Sequence, residues 1–415
     1  MDRLKQAYGN WVDGDRFWDR DKDIELLVEK LDEGAHILLT AQRRMGKTSL
    51  MREAKRRLDN RYVCLFVDLQ KASTAEDAIV ALSLALKPYK GQWSKIKALF
   101  ANVLDGVADR LEELNLGELG IKLRAGLVSG NWSQKGDLLF SIMAGSERPV
   151  LLLLDEAPVM VNRILKGEDY RVTPERKSQA DGFMSWLRKN SQEHQGRVRI
   201  VLSGSIGFEP VLRQAGLSAT INNFLPFDLG PWDEPTAIGC LWALANEYGL
   251  TFNDNAEVEM VSKLGCCIPH HVQMFFTYVY DRCKRRGRMD FDSSEVGEVY
   301  ENEMLGVRGH AELTHYEDRL KLILGPEILP LALEILTEAA VTGRLTPTAL
   351  VAIQKGYEFT GVSVREATEE ILRALEHDGY LKPGADGYLF ESRLLQDWWK
   401  RRYATLYLPA LQRGI

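Results

Sequence analysis

An α/β fold with a parallel sheet is predicted for residues 1–231, followed by a helical region at 232–316 and a terminal domain at 317–415 that reads as a winged helix. Three observations predict it. Continuous apolar runs recur at Ile37–Leu39, Val63–Val67, Val150–Leu154 and Val198–Leu202 with helical stretches between them, the alternation of strands buried on both faces under crossover helices. The first run opens into Ala41-Gln42-Arg43-Arg44-Met45-Gly46-Lys47-Thr48, a small residue, four of any kind and Gly-Lys-Thr, which then leads into Ser49-Leu50-Met51. From Trp232 onward strand signals give way to amphipathic helices, and the chain closes on three helices and a hairpin.

Composition bounds the rest. A chain of 415 residues exceeds one compact core and calls for two or three domains. The formal charge of −6 argues against a general attraction to nucleic acid or anionic lipid, so any such contact must be local. Cys64, Cys240, Cys266, Cys267 and Cys283 are scattered, and the adjacent pair lacks the spacing of a zinc knuckle. Reduced thiols in a cytoplasmic protein are the simplest reading. The start has no signal-peptide core, and the longest aliphatic run, Val150–Leu154, ends at Asp155, so no membrane span is expected.

Taken in order, Ile24, Leu26, Leu27, Val28 and Leu31 predict a helix before the first strand. The second strand is expected over Tyr62–Leu69, the third and fourth over the runs above, and a fifth at Phe227–Leu229. A helical insertion occupies about 91–147, where Ile96, Leu99, Phe100, Val103, Leu104, Val107, Leu111 and Leu114 share one face. Beyond it Leu119, Ile121 and Leu123 alternate with Gly120, Lys122 and Arg124, which reads as a short strand or hairpin. The insertion is expected to pack on its own domain rather than serve as a partner-binding arm. Helices are expected around Ala237–Ala245, Val258–Leu264 and Val272–Val279, and 289–316 reads as a helical connector. Ile328–Ala339, Thr346–Gln354 and Ser363–Glu376 then precede a hairpin turning at 383–387.

The chemistry-bearing residues sit at strand ends. In the loop at 41–48, successive backbone N–H groups and a helix N-terminus suit phosphates, Lys47 adds a cation toward the β- and γ-phosphates, and Thr48 offers a hydroxyl to magnesium. Ala41 stands where glycine is commoner, which leaves less freedom for a positive φ. Arg43 and Arg44 either touch phosphate or anchor the loop to an acidic neighbour. Val150–Leu154 ends in Asp155-Glu156; Asp155 is the candidate magnesium ligand and Glu156 the candidate base for the attacking water. The fourth run ends in Ser203-Gly204-Ser205, where either serine could sense the γ-phosphate, with a plain turn as the alternative. Arg213 is a candidate for reaching a neighbouring subunit's nucleotide, with a surface role as the blander reading.

With these residues in place, the chain resembles the archaeal-type ATPase family within the STAND and AAA+ group of P-loop NTPases. The resemblance is carried by residues 42–50, by Leu153-Leu154-Asp155-Glu156 and by Gly204-Ser205, and extends to Gly265–His271 and Leu394–Trp399. It spans residues 12–403. It implies an AAA+-like P-loop NTPase sheet domain, a helical lid and a winged helix, with ATP and Mg2+ as cofactors. Loop residues Ala41–Ser49, together with Arg20 and Pro269, would contact nucleotide. Arg16, Phe17 and Arg20 match a segment near the adenine, although Asp19 stands where glycine is frequent. The lid motif carries one extra residue, so His270 is read as a helix-packing histidine rather than a phosphate sensor.

Residues 327–391 hold eleven carboxylates against five Lys and Arg, a net of −6, and the candidate reading helix contains Glu366, Glu369 and Glu370. A helix pressed into a phosphate-lined groove needs the opposite sign. The expected output is therefore an ATP/ADP-driven switch that acts on a protein partner or on a second copy of itself. A DNA-binding regulator or loader, and a scaffold that barely hydrolyses ATP, are the alternatives. Trp398 and Trp399 are expected to plug the terminal domain.

Overall fold

The computed structural model describes residues 4–7, 9, 11–104 and 114–413. The chain divides into two compact units, one of residues 20–40 and 50–228, the other of residues 4–7, 9, 11–19, 41–49 and 229–413.

The first unit begins with α1 (Asp21–Asp32), which buries Ile24, Leu27 and Leu31, one apolar stripe at helical spacing, while Leu26 faces solvent. Strand β1 (His36–Thr40) follows, and α2 (Lys47–Leu58) begins beyond the phosphate loop. Strands β2 (Val63–Asp68), β3 (Val150–Asp155), β4 (Val198–Ser203) and β5 (Phe224–Asp228) complete a parallel sheet of order β2-β3-β4-β1-β5. The interior strand β3 is buried along its whole length, which is why it reads as an unbroken aliphatic run rather than as an alternation. The fifth strand lies three residues earlier than expected at its start, because Phe224 rather than Leu229 pairs into the sheet opposite His36. The terminal His36 is itself held, donating from Nε2 to the Ser191 carbonyl (3.0 Å) and accepting at Nδ1 from the Ile200 N–H (3.2 Å).

Between β2 and β3 run α3 (Ala75–Ala85), α4 (Lys90–Leu99), α5 (Ala101–Leu104), α6 (Leu116–Ala125) and α7 (Trp132–Ala144). Of the expected apolar face, Ile96, Phe100 and Leu104 are buried, whereas Val107 and Leu111 lie outside the described residues. The strand or hairpin expected over 119–124 is instead α6. Asn115 and Glu118 form a reciprocal capping box, Leu119 and Leu123 are buried four residues apart, and Ile121 is 73 % exposed. Alternation in the sequence was produced by one exposed isoleucine on a helix, not by the two faces of a strand. The insertion packs on its own unit. Gly136 of α7 lies so close to Trp186 of α9 (Pro174–Glu193) that a Cβ would stand 2.5 Å from its ring, and Asp137 accepts from Trp186 Nε1 (3.0 Å) and Asn190 (2.8 Å). Helices α8 (Ala157–Lys166) and α10 (Phe208–Gln214) flank the ends of β3 and β4.

In the second unit, α11 (Glu234–Tyr248), α12 (Ala256–Leu264) and α13 (Pro269–Arg285) are the expected helices. The N-terminal segment packs on them: Gln6 N–H donates to Tyr248 and Trp18 Nε1 to the Thr236 carbonyl. The connector is more structured than its polarity suggests. Strands β6 (Thr251–Asn253) and β7 (Asp290–Asp292) pair in parallel, α14 (Ser293–Val299) follows, and a π-turn at Tyr300–Met304 leads into α15 (Val307–Thr342). Helix α15 runs through residue 316, where the terminal domain was expected to begin. Its one break is at Gly325 (φ 76°, ψ 171°) before Pro326, the pair that removes a helical conformation and then an N–H donor. After it come α16 (Pro347–Gln354), α17 (Val364–His377), an antiparallel hairpin of β8 (Leu381–Gly384) and β9 (Gly387–Phe390), and α18 (Arg393–Tyr403). Trp398 and Trp399 are buried, bonded to His310 and to Thr337 of α15. Among the described residues no helix is long and apolar enough to cross a membrane.

Candidate functional site

All strands of the sheet run parallel, so their C-terminal ends share one edge, where open α/β folds bind ligands. That edge bears the residue before Ala41 on β1, Asp155 and Glu156 at β3, and Ser203 at β4.

Residues 41–46 leave β1 and close on the first turn of α2. The left-handed positions are Arg44 (φ 68°) and Gly46 (φ 92°), not Ala41, so the alanine imposes no backbone cost and the expected loss of freedom there does not arise. Left-handed residues at 44 and 46 are of the kind found in turns whose backbone N–H groups draw together around an anion. A left-handed arginine costs on the order of 1 kcal/mol, which must be offset by contacts of its side chain. Lys47, nearly buried, donates from Nζ to the carbonyls of Ala41 (2.7 Å) and Gln42 (2.9 Å), placing its cation in the hollow of the loop. Met45 is buried, Thr48 stands on the first turn of α2, and the Ser49 hydroxyl accepts from the Val12 N–H at 3.0 Å.

The loop's outward side chains are also engaged. Arg44 lies 3.0 Å from Glu312 of α15, an acidic neighbour for the loop. Arg43 donates to the His315 carbonyl at 3.5 Å, and burial beside Arg319 and Arg44 pushes its guanidinium down to about 10. Pro269 opens α13 as its first residue and is buried, with His270 beside it. His270 Nε2 sits 3.4 Å from Glu312. Burial holds that imidazole down to about 4, so it is neutral at pH 7, and His270 beside it holds the Glu312 carboxylate below the usual range. A helix-packing histidine is what the geometry describes.

This burial has a measurable consequence. In the unfolded chain His270 takes up a proton near pH 6.5, but in the native protein only near 4, so stability is full above about 6.5 and falls as the pH drops toward 4. The loss from His270 alone is about 3 kcal/mol. Burial lowers His36 and His271 in the same direction. The urea midpoint should therefore fall between pH 7 and 4.5, and His270→Gln, which offers an amide donor to Glu312, should flatten that dependence. An identical slope in the variant would remove His270 as its cause.

At the end of β3, Asp155 is buried and accepts from the Glu156 N–H at 3.1 Å. Glu156 is left-handed (φ 59°) and caps α8. Its carboxylate accepts from both the Ser205 N–H (2.9 Å) and the Ser205 hydroxyl (2.7 Å). Gly204 makes this approach possible: a Cβ there would stand 2.5 Å from the Pro158 ring, so only glycine lets the turn after β4 reach the start of α8. Ser203, one residue past the Leu154–Leu202 pair, is fully buried, and its hydroxyl has no hydrogen-bond partner among the described residues. Such an orphan costs free energy unless a ligand or water meets it.

Two other candidates pair with carboxylates close in sequence. Arg213 is half-exposed and pairs with Glu209 on its own helix, α10. Arg20 pairs with Asp23 at 3.2 Å and, with Asp19 (φ 58°), takes a left-handed conformation; the backbone turns there as a glycine would, because aspartate tolerates this region. Glu312 and Gly379, which meet the loop, carried no signal in the sequence beyond a glycine after a helix.

The fold is that of an AAA+-type P-loop NTPase, with the phosphate loop after β1 and paired carboxylates after β3. A Walker-type ATPase of Pyrococcus abyssi is similar in structure, with a TM-score of 0.60 and 18 % identity over 94 % of this chain and 98 % of that one. The ORC2 protein of Aeropyrum pernix, determined as ADPNP and ADP complexes, is similar at a TM-score of 0.50 and 14 % identity, covering 93 % of this chain and 95 % of that one. No protein-family model and no curated protein matches the sequence.

Proposed function

We propose that the protein is an ATP-binding and ATP-hydrolysing switch whose nucleotide state repositions its C-terminal domain to control a partner. The observation that carries this reading is the phosphate loop itself, a strand-loop-helix turn with left-handed residues at 44 and 46 and the Lys47 ammonium set against the loop carbonyls. We assign the phosphates to the loop's backbone N–H groups and Lys47. The Thr48 hydroxyl and, at the end of β3, the Asp155 carboxylate are assigned to magnesium as hard oxygen donors, and Ser203 at the end of β4 to sensing the γ-phosphate. A bound magnesium ion supplies neutralisation of charge on the phosphates. Glu156 accepts the proton of the attacking water once its carboxylate turns from Ser205. Arg20 and Pro269 are assigned to the nucleotide's surroundings, and Arg213 to action on a neighbouring copy.

Within this reading residues 1–231 form the ATPase domain, 232–316 the lid and connector, and 317–415 a winged helix that contacts protein. Helix α17 supports a protein contact over DNA: Arg365 and Arg373 both pair with Glu369, at 3.3 and 3.5 Å, and Glu366 is occupied in capping Ser363. Its cations are spent within the helix, leaving no excess to meet phosphates.

Size-exclusion with light scattering, run with ADP and with a non-hydrolysable ATP analogue, should give different masses or elution volumes in the two states. Phosphate release from ATP and magnesium should accompany it. The absence of bound nucleotide under both conditions would overturn the assignment.

A further inference from the structure

Three consecutive side chains of the phosphate loop meet two segments of their own unit. Gln42 lies across Gly379, where a Cβ would stand 1.8 Å from the Gln42 Cδ, so a side chain there would displace Gln42, and its φ of 72° favours glycine. Arg43 donates to the His315 carbonyl, and Arg44 pairs with Glu312. Glu312 also lies beside His270, so a single carboxylate joins the loop, the first turn of α13 and α15.

Arg44 is the residue whose left-handed backbone helps shape the phosphate loop. Its guanidinium and the Glu312 carboxylate are 17 % and 27 % exposed, shielded enough for the pair to resist screening by salt. Arg43 and Arg319 lie close to each other and to Arg44, so Glu312 is a negative charge set beside a cluster of guanidinium groups. Anionic phosphates arriving at the loop compete with that carboxylate for the same positive field.

We infer that Glu312 is a positioning residue for the phosphate loop: through Arg44 it fixes the left-handed turn of the loop, and it couples nucleotide at the loop to α15 and to the turn at Gly379. The inference rests on the phosphate-loop reading above.

The test uses the full chain with Glu312→Gln, reading the affinity for ADP and for a non-hydrolysable ATP analogue, and amide hydrogen exchange over residues 42–46, 312–320 and 376–384 with and without nucleotide. In the parent protein nucleotide should change exchange in all three segments. In Glu312→Gln the ratio of the two affinities should shift by about tenfold, the scale of one charge-assisted bond, and the change at 312–320 and 376–384 should vanish. Arg44→Gln should do the same, and the double variant should add little, since both remove one pair. Arg44→Gln also serves if Glu312→Gln fails to fold. Parent-like affinities with persistent nucleotide-dependent exchange in the variants would overturn the coupling. Lys47→Ala separates the two failures: if it leaves nucleotide binding intact, the phosphate-loop reading falls, whereas lost binding there beside unaffected Glu312 and Arg44 variants condemns the coupling alone.

Discussion

Lys47→Ala should lower nucleotide affinity by about two to four orders of magnitude, the loss of two charge-assisted hydrogen bonds to phosphate at roughly 1.5–3 kcal/mol each. The fold should survive. In the protein as described the ammonium is satisfied by the carbonyls of Ala41 and Gln42, and these are the bonds its removal leaves open, at a cost of about 1 kcal/mol. Against that, a cation on the first turn of a helix is unfavourable, and alanine is the better helix former there. Binding and stability therefore separate: calorimetric titration with ATP and magnesium should show no binding at concentrations that saturate the parent, while the thermal midpoint moves by only a few degrees. Full retention of ATP binding would end the phosphate-loop assignment.

What could be read from the sequence and what could not differ in physical kind. The sheet was legible because strands β2, β3 and β4 are buried on both faces, and double burial writes itself as an uninterrupted apolar run. The loop was legible because glycine at 46 and lysine at 47 are fixed by backbone conformation and charge. Local alternation was a poorer guide. Leu119, Ile121 and Leu123 spelled a strand, yet a capping box at Asn115 and burial at i and i+4 decided for a helix. The break in α15 was equally hidden, since the polar stretch before Gly325 carries the same helix as the apolar stretch after it. Partnerships across long sequence separations left no trace at all. Arg44 meets a glutamate 268 residues away, and Glu156 meets a serine 49 residues away, through contacts that only the folded chain defines. Arginine inside the loop pointed to phosphate or an acidic neighbour, and only the folded chain places Glu312 beside it.

Glu156→Gln should leave nucleotide affinity within a few-fold of the parent and cut turnover by about 10²–10⁴, the contribution of a positioned general base. The amide matches the carboxylate in shape, and its oxygen still accepts from the Ser205 N–H and hydroxyl, so the turn after β4 keeps its place against Pro158. What the amide lacks is a basic oxygen. The same two bonds make a second result informative. As long as Ser205 donates twice to Glu156, the carboxylate is held toward that turn. Ser205→Ala removes the shorter bond and keeps the backbone one, so basal turnover should rise by up to about tenfold with the Michaelis constant unchanged. A fall in turnover would instead identify the Ser205 hydroxyl as a group that meets the γ-phosphate. In Glu156→Gln the serine substitution should then have no further effect, because there is no base left for the hydroxyl to restrain.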